Sequence, residues 1–228
     1  MNNTERVHGV MEAVQYDHLI QAIVPGQSLL LSTIIDTLPT PCGRVLELGC
    51  GTGIMTGMIR DACPDAEITA IDISCEMLEI ASAKPELEGV LFLSRDLREP
   101  WPAGEYDAIV SSLCLHHVSP ADRQEVARKA SSVLHAGGRF ICGDIFRAAE
   151  DWEERILTAS WVKGMKREGA PDEVIEGMLR QRAGRLPEIS TITDFRRSLL
   201  AAGFERTWVP FTHGFVGLAA GMMSTHSK

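Results

Sequence analysis

Three glycines follow an apolar, strand-like run of the chain at a spacing that could hold a ligand, and an acid lies just before them. The segment RVLELGCGTG, residues 44–53, places Gly49, Gly51 and Gly53 at alternate positions, with Glu47 just before them. A glycine-rich turn after a strand lets a ligand approach the backbone and brings it to the N-terminus of the next helix. A nicotinamide dinucleotide motif would need a third glycine at position 54, where the chain has Ile54. The segment therefore predicts a ligand-binding turn and argues against a nicotinamide cofactor.

The elements that must position this turn are strands and helices in alternation. Apolar runs typical of strands alternate with helical patterns, which predicts βαβ units and a parallel sheet. Ser74 and Ser119 are candidate N-caps of two of the helices. Near the C-terminus two strand patterns are separated only by THG, which predicts an antiparallel hairpin that closes the sheet. Strands are predicted over 44–48, 67–73, 90–94, 106–112, 138–146, 204–211 and 214–221, and helices over 53–64, 74–84, 120–134 and 191–203.

Two helical segments lie outside this alternation. Residues 1–40 have a helical pattern, and residues 148–188 contain two predicted helices broken at EGAPDE. Both are expected over the carboxyl edge of the sheet, where open α/β sheets bind ligands. The predicted organisation is an N-terminal helical cover (1–40), a cofactor-binding core (41–147), a helical lid insert (148–190) and a C-terminal helix and hairpin that complete the core (191–228).

Several further motifs occur in a fixed order around the glycine turn. LELGCGTG, ITAIDIS, SRDLREPWP, YDAIVSSLCLHHV and VLHAGGRFICGDIF follow one another over residues 44–146 and resemble the motifs of class I S-adenosylmethionine-dependent methyltransferases. The resemblance implies an α/β, doubly wound, Rossmann-like mixed sheet of seven strands, the last antiparallel, with helices on both faces. It implies S-adenosylmethionine as cofactor and S-adenosylhomocysteine as product. The implied cofactor-binding residues are Glu47, Gly49, Cys50, Gly51, Gly53, Asp72, Ile73, Met77, Asp96, Leu97 and Ser112.

The resemblance also assigns roles to the acids. Glu47 would lie near the methionine end of the cofactor, Asp72 would accept the ribose hydroxyls, and Asp96 would accept the adenine amino hydrogens. Each has an alternative: a helix cap for Glu47, a strand-end cap for Asp72, and pairing with a neighbouring arginine, 95 or 98, for Asp96. Met77 would pack on adenine or ribose, or belong to the core, and Leu97 would offer its backbone amide.

The reacting end of the site is expected at three residues. His116 and His117 follow the fourth strand, where members of this family line the methyl-transfer site, and histidine can accept a proton near neutral pH. Tyr16, in the helical segment YDHLIQAIVPG, would cover the cofactor as in a subgroup of the family. The predicted catalytic residues are therefore His116, His117 and Tyr16, although a structural histidine pair and a plain amphipathic helix also fit these patterns.

The insert carries the candidate acceptor residues. Trp161 offers an apolar surface, and Arg180, Arg182 and Arg185 lie within two helical turns of one another. Arginine recognises carboxylate or phosphate, which suggests a lid over a small, anionic acceptor. The alternative is a solvated helix face that pairs with glutamates 173 or 176. Tyr16, His116, Trp161 and Arg182 are the predicted substrate-binding residues.

Composition narrows the partners. The 228 residues carry a net charge of −9, and residues 1–146 contain 10 Lys and Arg against 20 Asp and Glu, which argues against direct nucleic-acid binding. The six cysteines are scattered without metal-ligand spacing, so no metal is expected. With no long apolar run or cleavable leader, we expect a cytoplasmic protein without a membrane partner. The apolar tail GFVGLAAGMM fits either an edge strand or a homodimer contact.

The predicted function is transfer of a methyl group by in-line displacement to a small-molecule acceptor. One alternative is a carboxy-S-adenosylmethionine synthase of transfer-RNA wobble-uridine modification, because YDHLIQAIVPG also resembles the N-terminal region of those enzymes. Their glycine motif resembles DLGCSLG, from which GCGTG departs. A non-catalytic module that binds S-adenosylmethionine is the second alternative.

Overall fold

A seven-stranded sheet forms the centre of the computed structural model, which describes residues 19–225. The strand order is β3-β2-β1-β4-β5-β7-β6, and β7 alone runs antiparallel to its neighbours β5 and β6. The predicted doubly wound, mixed sheet is confirmed. The strands are β1 (Arg44–Leu48), β2 (Glu67–Asp72), β3 (Leu91–Ser94), β4 (Tyr106–Ser112), β5 (Leu134–Ile145), β6 (Arg206–His213) and β7 (Val216–Met222).

Helices cover both faces of the sheet. One buried cluster joins α1 and α2 to the face that carries Val45 and Val110, and a second joins α4 and α7 to the face that carries Leu46 and Ile109. Neighbouring residues of one strand thus point to opposite layers, as the pleat requires. The helices are α1 (Gln27–Asp36), α2 (Ile54–Ala62), α3 (Cys75–Ser82), α4 (Pro120–Val133), α5 (Asp151–Arg167), α6 (Asp172–Arg185) and α7 (Ile192–Ala201), and residues 19–23 are also helical.

Two predicted helix caps are present. The Ser74 hydroxyl accepts the Met77 N–H at 3.2 Å, and the Ser119 hydroxyl accepts the Asp122 N–H at 3.1 Å. Each bond satisfies one of the amides that the first helical turn leaves without a partner. The bonds fix where α3 and α4 begin, and hence the conformation of the chain that leaves β2 and β4.

The helices between β5 and α7 pack against the N-terminal part of the described chain. Met165 of α5 and Ile175 of α6 are buried in the same cluster as Ile23 and Leu30. Both helices also line a cavity together with Ile145, the last residue of β5, and so lie beside the carboxyl edge of the sheet. Within residues 19–225, no helix combines the length and the apolar character needed to cross a bilayer.

Strand order reverses between β1 and β4, because the chain proceeds outward from β1 to β2 and β3 and then returns to β4. Crevices at such reversal points, outside the carboxyl ends of the strands, are where open α/β sheets bind ligands. The glycine turn after β1 and the histidines after β4 both lie at this point.

Candidate functional site

The three glycines of the turn differ in what surrounds them. All three have left-handed backbone, with φ of 72° at Gly49, 53° at Gly51 and 83° at Gly53. A Cβ at Gly49 would lie 2.1 Å from Cys114 Sγ, and one at Gly53 would lie 2.8 Å from Leu87 Cδ1. A Cβ at Gly51 would meet nothing within 4 Å. The outer glycines are thus required by packing, whereas Gly51 leaves open space above the backbone that a ligand can enter.

Asp72, at the end of β2, holds the turn from the side. Its Oδ2 accepts the Gly51 N–H at 2.8 Å and its Oδ1 accepts the Ser74 N–H at 2.9 Å. Each carboxylate oxygen keeps a lone pair for a further donor. Ile73 follows with 67% of its surface exposed, whereas Met77 is buried. Asp72 and Ile73 therefore border the open space beside Gly51.

Glu47 lies under the turn, on β1. It is buried, and the Thr56 hydroxyl donates to its Oε2 at 2.6 Å. Burial raises the pKa of Glu47 to about 7; the Thr56 hydrogen bond lowers this pKa, and the charge of Asp72 raises it further. The buried carboxyl would gain from a cation close by.

The predicted adenine-binding residues lie after β3. The Arg98 guanidinium donates to both carboxylate oxygens of Asp96, and the Arg98 N–H donates to Oδ1 at 2.8 Å. The side-chain hydrogen bond from Arg98 lowers the pKa of Asp96. Of the two arginines considered for this pairing, Arg98 is thus the partner. The Leu97 side chain is buried, and its carbonyl accepts the Lys129 ammonium at 3.1 Å.

His116 and Asp144 form a hydrogen-bonded pair that sequence reasoning found only in part. His116 Nδ1 lies 2.5 Å from Asp144 Oδ1, and Asp144 is buried at the carboxyl end of β5. Since Nδ1 donates to the carboxylate, Nε2 is the ring nitrogen that can accept a proton. Asp144 was not among the predicted residues. The signal that could have found it is an acid at the end of an apolar strand, the same signal that marks Asp72.

A cavity of about 420 Å³ begins at His116. Its walls come from residues 23–25, from α5 and α6, and from residues 213–216. Trp161 and Arg182, both predicted to bind substrate, line it together with His116, whereas His117 is exposed and does not line it. Tyr16 lies outside the described residues.

The cavity and the glycine turn meet through the segment that follows β4. Cys114 packs against Gly49, as the short distance to a Cβ at that glycine shows, and His116 is two residues further on. Leu113 turns the chain sharply, with a φ of 51°, and its N–H donates to Gly143 O at 2.7 Å. Ser112, the last residue of β4, is half-buried. His116 therefore belongs to the chain segment that contacts the glycine turn.

The Arg182 side chain is fixed by contacts with other residues of the protein. Its Nε lies 2.7 Å from Glu154 Oε1, its Nη2 donates to Phe146 O at 3.2 Å, and its guanidinium lies 3.2 Å above the Phe215 ring. Burial lowers the pKa of Arg182, and the hydrogen bond and charge of Glu154 raise it. The proposed solvated pairing applies to Arg180, which lies 3.6 Å from Glu176 in an exposed position.

Arg185 also faces inward. It donates to the carbonyl of His116 at 2.6 Å and pairs with Glu188 at 3.5 Å. Helix α6 is therefore tied directly to the histidine segment. Among the residues described, no cluster of His, Cys, Asp and Glu has the arrangement of a metal site.

Comparison with known proteins identifies the central part of the chain. Residues 45–138 match the family model described as a methyltransferase domain. They contain the glycine turn, Asp72 and the histidine segment. The chain contains a class I S-adenosylmethionine-dependent methyltransferase domain.

Relatives of this methyltransferase domain cover only part of the chain. An uncharacterized methyltransferase of Geobacillus kaustophilus (strain HTA426) is 30% identical over 146 residues, 63% of this chain and 65% of the relative. A ribosomal RNA small subunit methyltransferase C of Haemophilus influenzae (strain PittGG) is 33% identical over 136 residues, 57% of this chain and 38% of the relative. The chain thus spans less than two thirds of these relatives, so the activity, acceptor and partners of the whole protein are inferences from the site.

Solved structures extend the likeness of the fold beyond the methyltransferase domain. The plantazolicin methyltransferase BpumL, solved with a triazolic desmethylPZN analogue and S-adenosylhomocysteine, superposes with a TM-score of 0.64 at 18% identity. The superposition covers 92% of this chain and 90% of that chain. The similarity in fold therefore extends to α5 and α6, the helices that line the cavity.

Proposed function

We propose that this protein transfers a methyl group from S-adenosylmethionine to a hydroxyl oxygen of a small molecule bound in the cavity, with His116 as general base. The observation that carries the proposal is the His116–Asp144 pair, 2.5 Å apart, on the wall of the cavity and two residues from the segment that contacts the glycine turn. A base is needed for a hydroxyl acceptor, since this group must lose its proton as it is methylated.

The residues of the turn fit the cofactor. The open space over Gly51 admits a ligand to the backbone, and Asp72 beside it has acceptor capacity for a ribose diol. Glu47 would stabilise a cationic group near the turn, and Asp96 would meet the adenine amino group with Arg98 displaced or shifted. S-adenosylmethionine supplies a methyl carbon that its sulfonium already activates.

The chain's own contribution to the reaction is alignment and proton acceptance. Asp144 holds the imidazole with Nε2 as acceptor, and Arg185 fixes the backbone of His116. Held by Gly51, Asp72 and Asp96, S-adenosylmethionine would supply the methyl carbon to the acceptor oxygen and would keep the electron pair of its carbon–sulfur bond. The hydroxyl proton passes to His116 Nε2. Alignment and exclusion of water supply much of the remaining rate enhancement.

The size of the cavity favours a small molecule. About 420 Å³ lies within the usual range for small-ligand sites. In this proposal the insert, residues 148–190, acts as the lid, residues 41–147 are the cofactor-binding core, and residues 191–225 complete that core. Residues 19–40 belong to the predicted N-terminal cover, whose residues 1–18 lie outside the described part of the chain. Nucleic acid is not proposed as a direct partner, because the net charge is −9.

The test is methyl transfer by wild-type protein, His116→Gln and His135→Gln. A panel of phenols and hydroxy acids would be incubated with S-adenosylmethionine, with product detected by mass. We expect His116→Gln to lower kcat by at least about a hundredfold, the usual contribution of a general base. S-adenosylhomocysteine affinity should stay within about twofold. His135→Gln is the matched control, since His135 is exposed, lies 3.2 Å from Glu105 and does not line the cavity, and it should stay close to wild type.

Full activity of His116→Gln would refute its role as base. Tight binding of S-adenosylhomocysteine without methylation of any acceptor would favour a non-catalytic binding module. A carboxylated sulfonium as product would instead identify a carboxy-S-adenosylmethionine synthase.

A further inference from the structure

The charged side chains around the cavity are all of one sign. Four cationic residues line it, Lys163, Arg167, Arg182 and Arg185, and no aspartate or glutamate of the described chain does. Such a lining in a protein of net charge −9 is not explained by overall composition. It indicates a ligand with negative charge.

Two of these cations are already neutralised. Arg182 pairs with Glu154 at 2.7 Å and lies against Phe215, and Arg185 pairs with Glu188 at 3.5 Å and binds the His116 carbonyl. Both arginines connect α6 to other parts of the protein. Because their charges are already paired within the protein, they are not the cations expected to bind a charged ligand.

The other two cations, Lys163 and Arg167, lie one turn apart on α5. No carboxylate within residues 19–225 pairs with Lys163, and Arg167 has only Glu168, its neighbour in sequence, at 3.9 Å. A Cβ at Gly164 would lie 2.8 Å from Pro25 Cγ and 3.9 Å from Arg167 Nη2. The end of the Arg167 side chain therefore lies beside Gly164 and near Pro25, both of which line the cavity, while 71% of this side chain stays exposed to an incoming ligand. Lys163 and Arg167 are the two cations available to a ligand.

The rest of the lining is largely apolar. Trp161 and Phe215 pack edge to face, with ring centroids 5.8 Å apart, and Trp161 is fixed by the bond from its Nε1 to Ile23 O at 2.8 Å. Met178 and Leu157 add further apolar surface. A rigid aromatic wall of this kind suits an apolar or aromatic ligand body.

We propose that the acceptor is an organic acid with an apolar body, and that Lys163 and Arg167 bind its acid group while its hydroxyl meets His116. The inference rests on the proposed acceptor site and adds the chemical class of the substrate. Arginine and lysine bind a carboxylate by charge-assisted hydrogen bonds, whereas the aromatic wall would bind acid and neutral analogue alike. The charged end therefore decides which acceptors are selected.

The experiment uses two fluorescent probes with one skeleton. 1-Anilinonaphthalene-8-sulfonate carries an acid group, and N-phenyl-1-naphthylamine is the same molecule without it. Each would be titrated into the full chain in the presence of S-adenosylhomocysteine. The variants are Lys163→Gln/Arg167→Gln and, as control on the same helix, Lys166→Gln, whose ammonium pairs with Asp172 outside the cavity.

We expect the sulfonate to bind at one site, and the double variant to weaken that binding about tenfold or more, the usual effect of losing a charged hydrogen bond. The neutral probe should change by less than about twofold, and Lys166→Gln should leave both affinities unchanged. Equal weakening of both probes, unchanged sulfonate affinity in the double variant, or no sulfonate site in the wild type would overturn the inference.

Failure of this inference can be told apart from failure of the proposed function, because probe binding needs no turnover. If the probes bind equally well with and without the acid group while catalysis still requires His116, only the inference that the acceptor is an acid is rejected. If binding depends on the acid group while His116→Gln keeps full activity, only the role of His116 as general base is rejected.

Discussion

Glu47 is a buried carboxyl, so its ionised form is costly until a cation lies beside it. Its pKa of about 7 in the folded chain stands above its ordinary value of 4.5. Between these values the folded state holds more protons than the unfolded state, so the free energy of unfolding falls as pH rises from about 4.5 to about 7. The loss amounts to roughly 3 kcal/mol at most. Glu47→Gln should remove this fall, which urea unfolding at pH 5 and pH 8 without cofactor would measure.

The control for this prediction is Glu67→Gln, at an exposed position of β2 where the side chain is 81% accessible. Its pH profile should follow that of the wild type. A Glu47→Gln variant that loses stability with rising pH as steeply as the wild type would contradict the assignment of the effect to Glu47.

The residues of the site were predictable where a local motif carries them. Gly51 and Asp72 are read from the order of short motifs, and the structure brings them together through a direct hydrogen bond. Asp144 was missed because its partner, His116, is 28 residues away and only the pairing of β4 with β5 places them side by side. Local sequence describes a turn well but not a contact that sheet register creates.

At the scale of elements, α6 is held to the rest of the protein by buried charge. The side chains of Arg182 and Glu154 are 7% and 13% exposed. Removing one partner leaves the other charged and buried, which costs about 3 kcal/mol or more. Arg182→Gln should lower the free energy of unfolding by about that amount in urea. Arg180→Gln, in the exposed pair with Glu176, should change it by less than about 1 kcal/mol.

Equal stability of the two variants would show that α6 is held by its apolar contacts alone. The prediction can be checked locally as well, since hydrogen exchange in α6 should quicken in Arg182→Gln and not in Arg180→Gln.

The positions of the strands and helices were largely predictable from the sequence, whereas the contacts between these elements were not. Alternating apolar patterns gave the seven strands, and the hairpin of β6 and β7 was expected from the THG turn. Strand β5 begins at Leu134, earlier than the predicted 138, because pairing with β4 extends it past the two glycines. The alternative to a substrate-binding role for the three arginines was pairing with residue 173 or 176 on the same helix. Arg182 pairs instead with Glu154 on α5, because burial selects partners across helices.

At the scale of the whole molecule, charge separates two kinds of acceptor. One relative is a ribosomal RNA methyltransferase, yet this chain has a net charge of −9, and two of the four cations at its cavity are neutralised by glutamates. Binding to a phosphate backbone depends on unpaired lysine and arginine and on release of counterions.

A fluorescein-labelled 20-nucleotide RNA in 150 mM NaCl should therefore bind with a Kd weaker than about 100 µM by anisotropy, the weak limit of non-specific binding. An arginine-rich peptide would serve as positive control for the RNA. Micromolar affinity that falls steeply with added salt would contradict this expectation and would place the acceptor on a nucleic acid rather than in the cavity beneath α5 and α6.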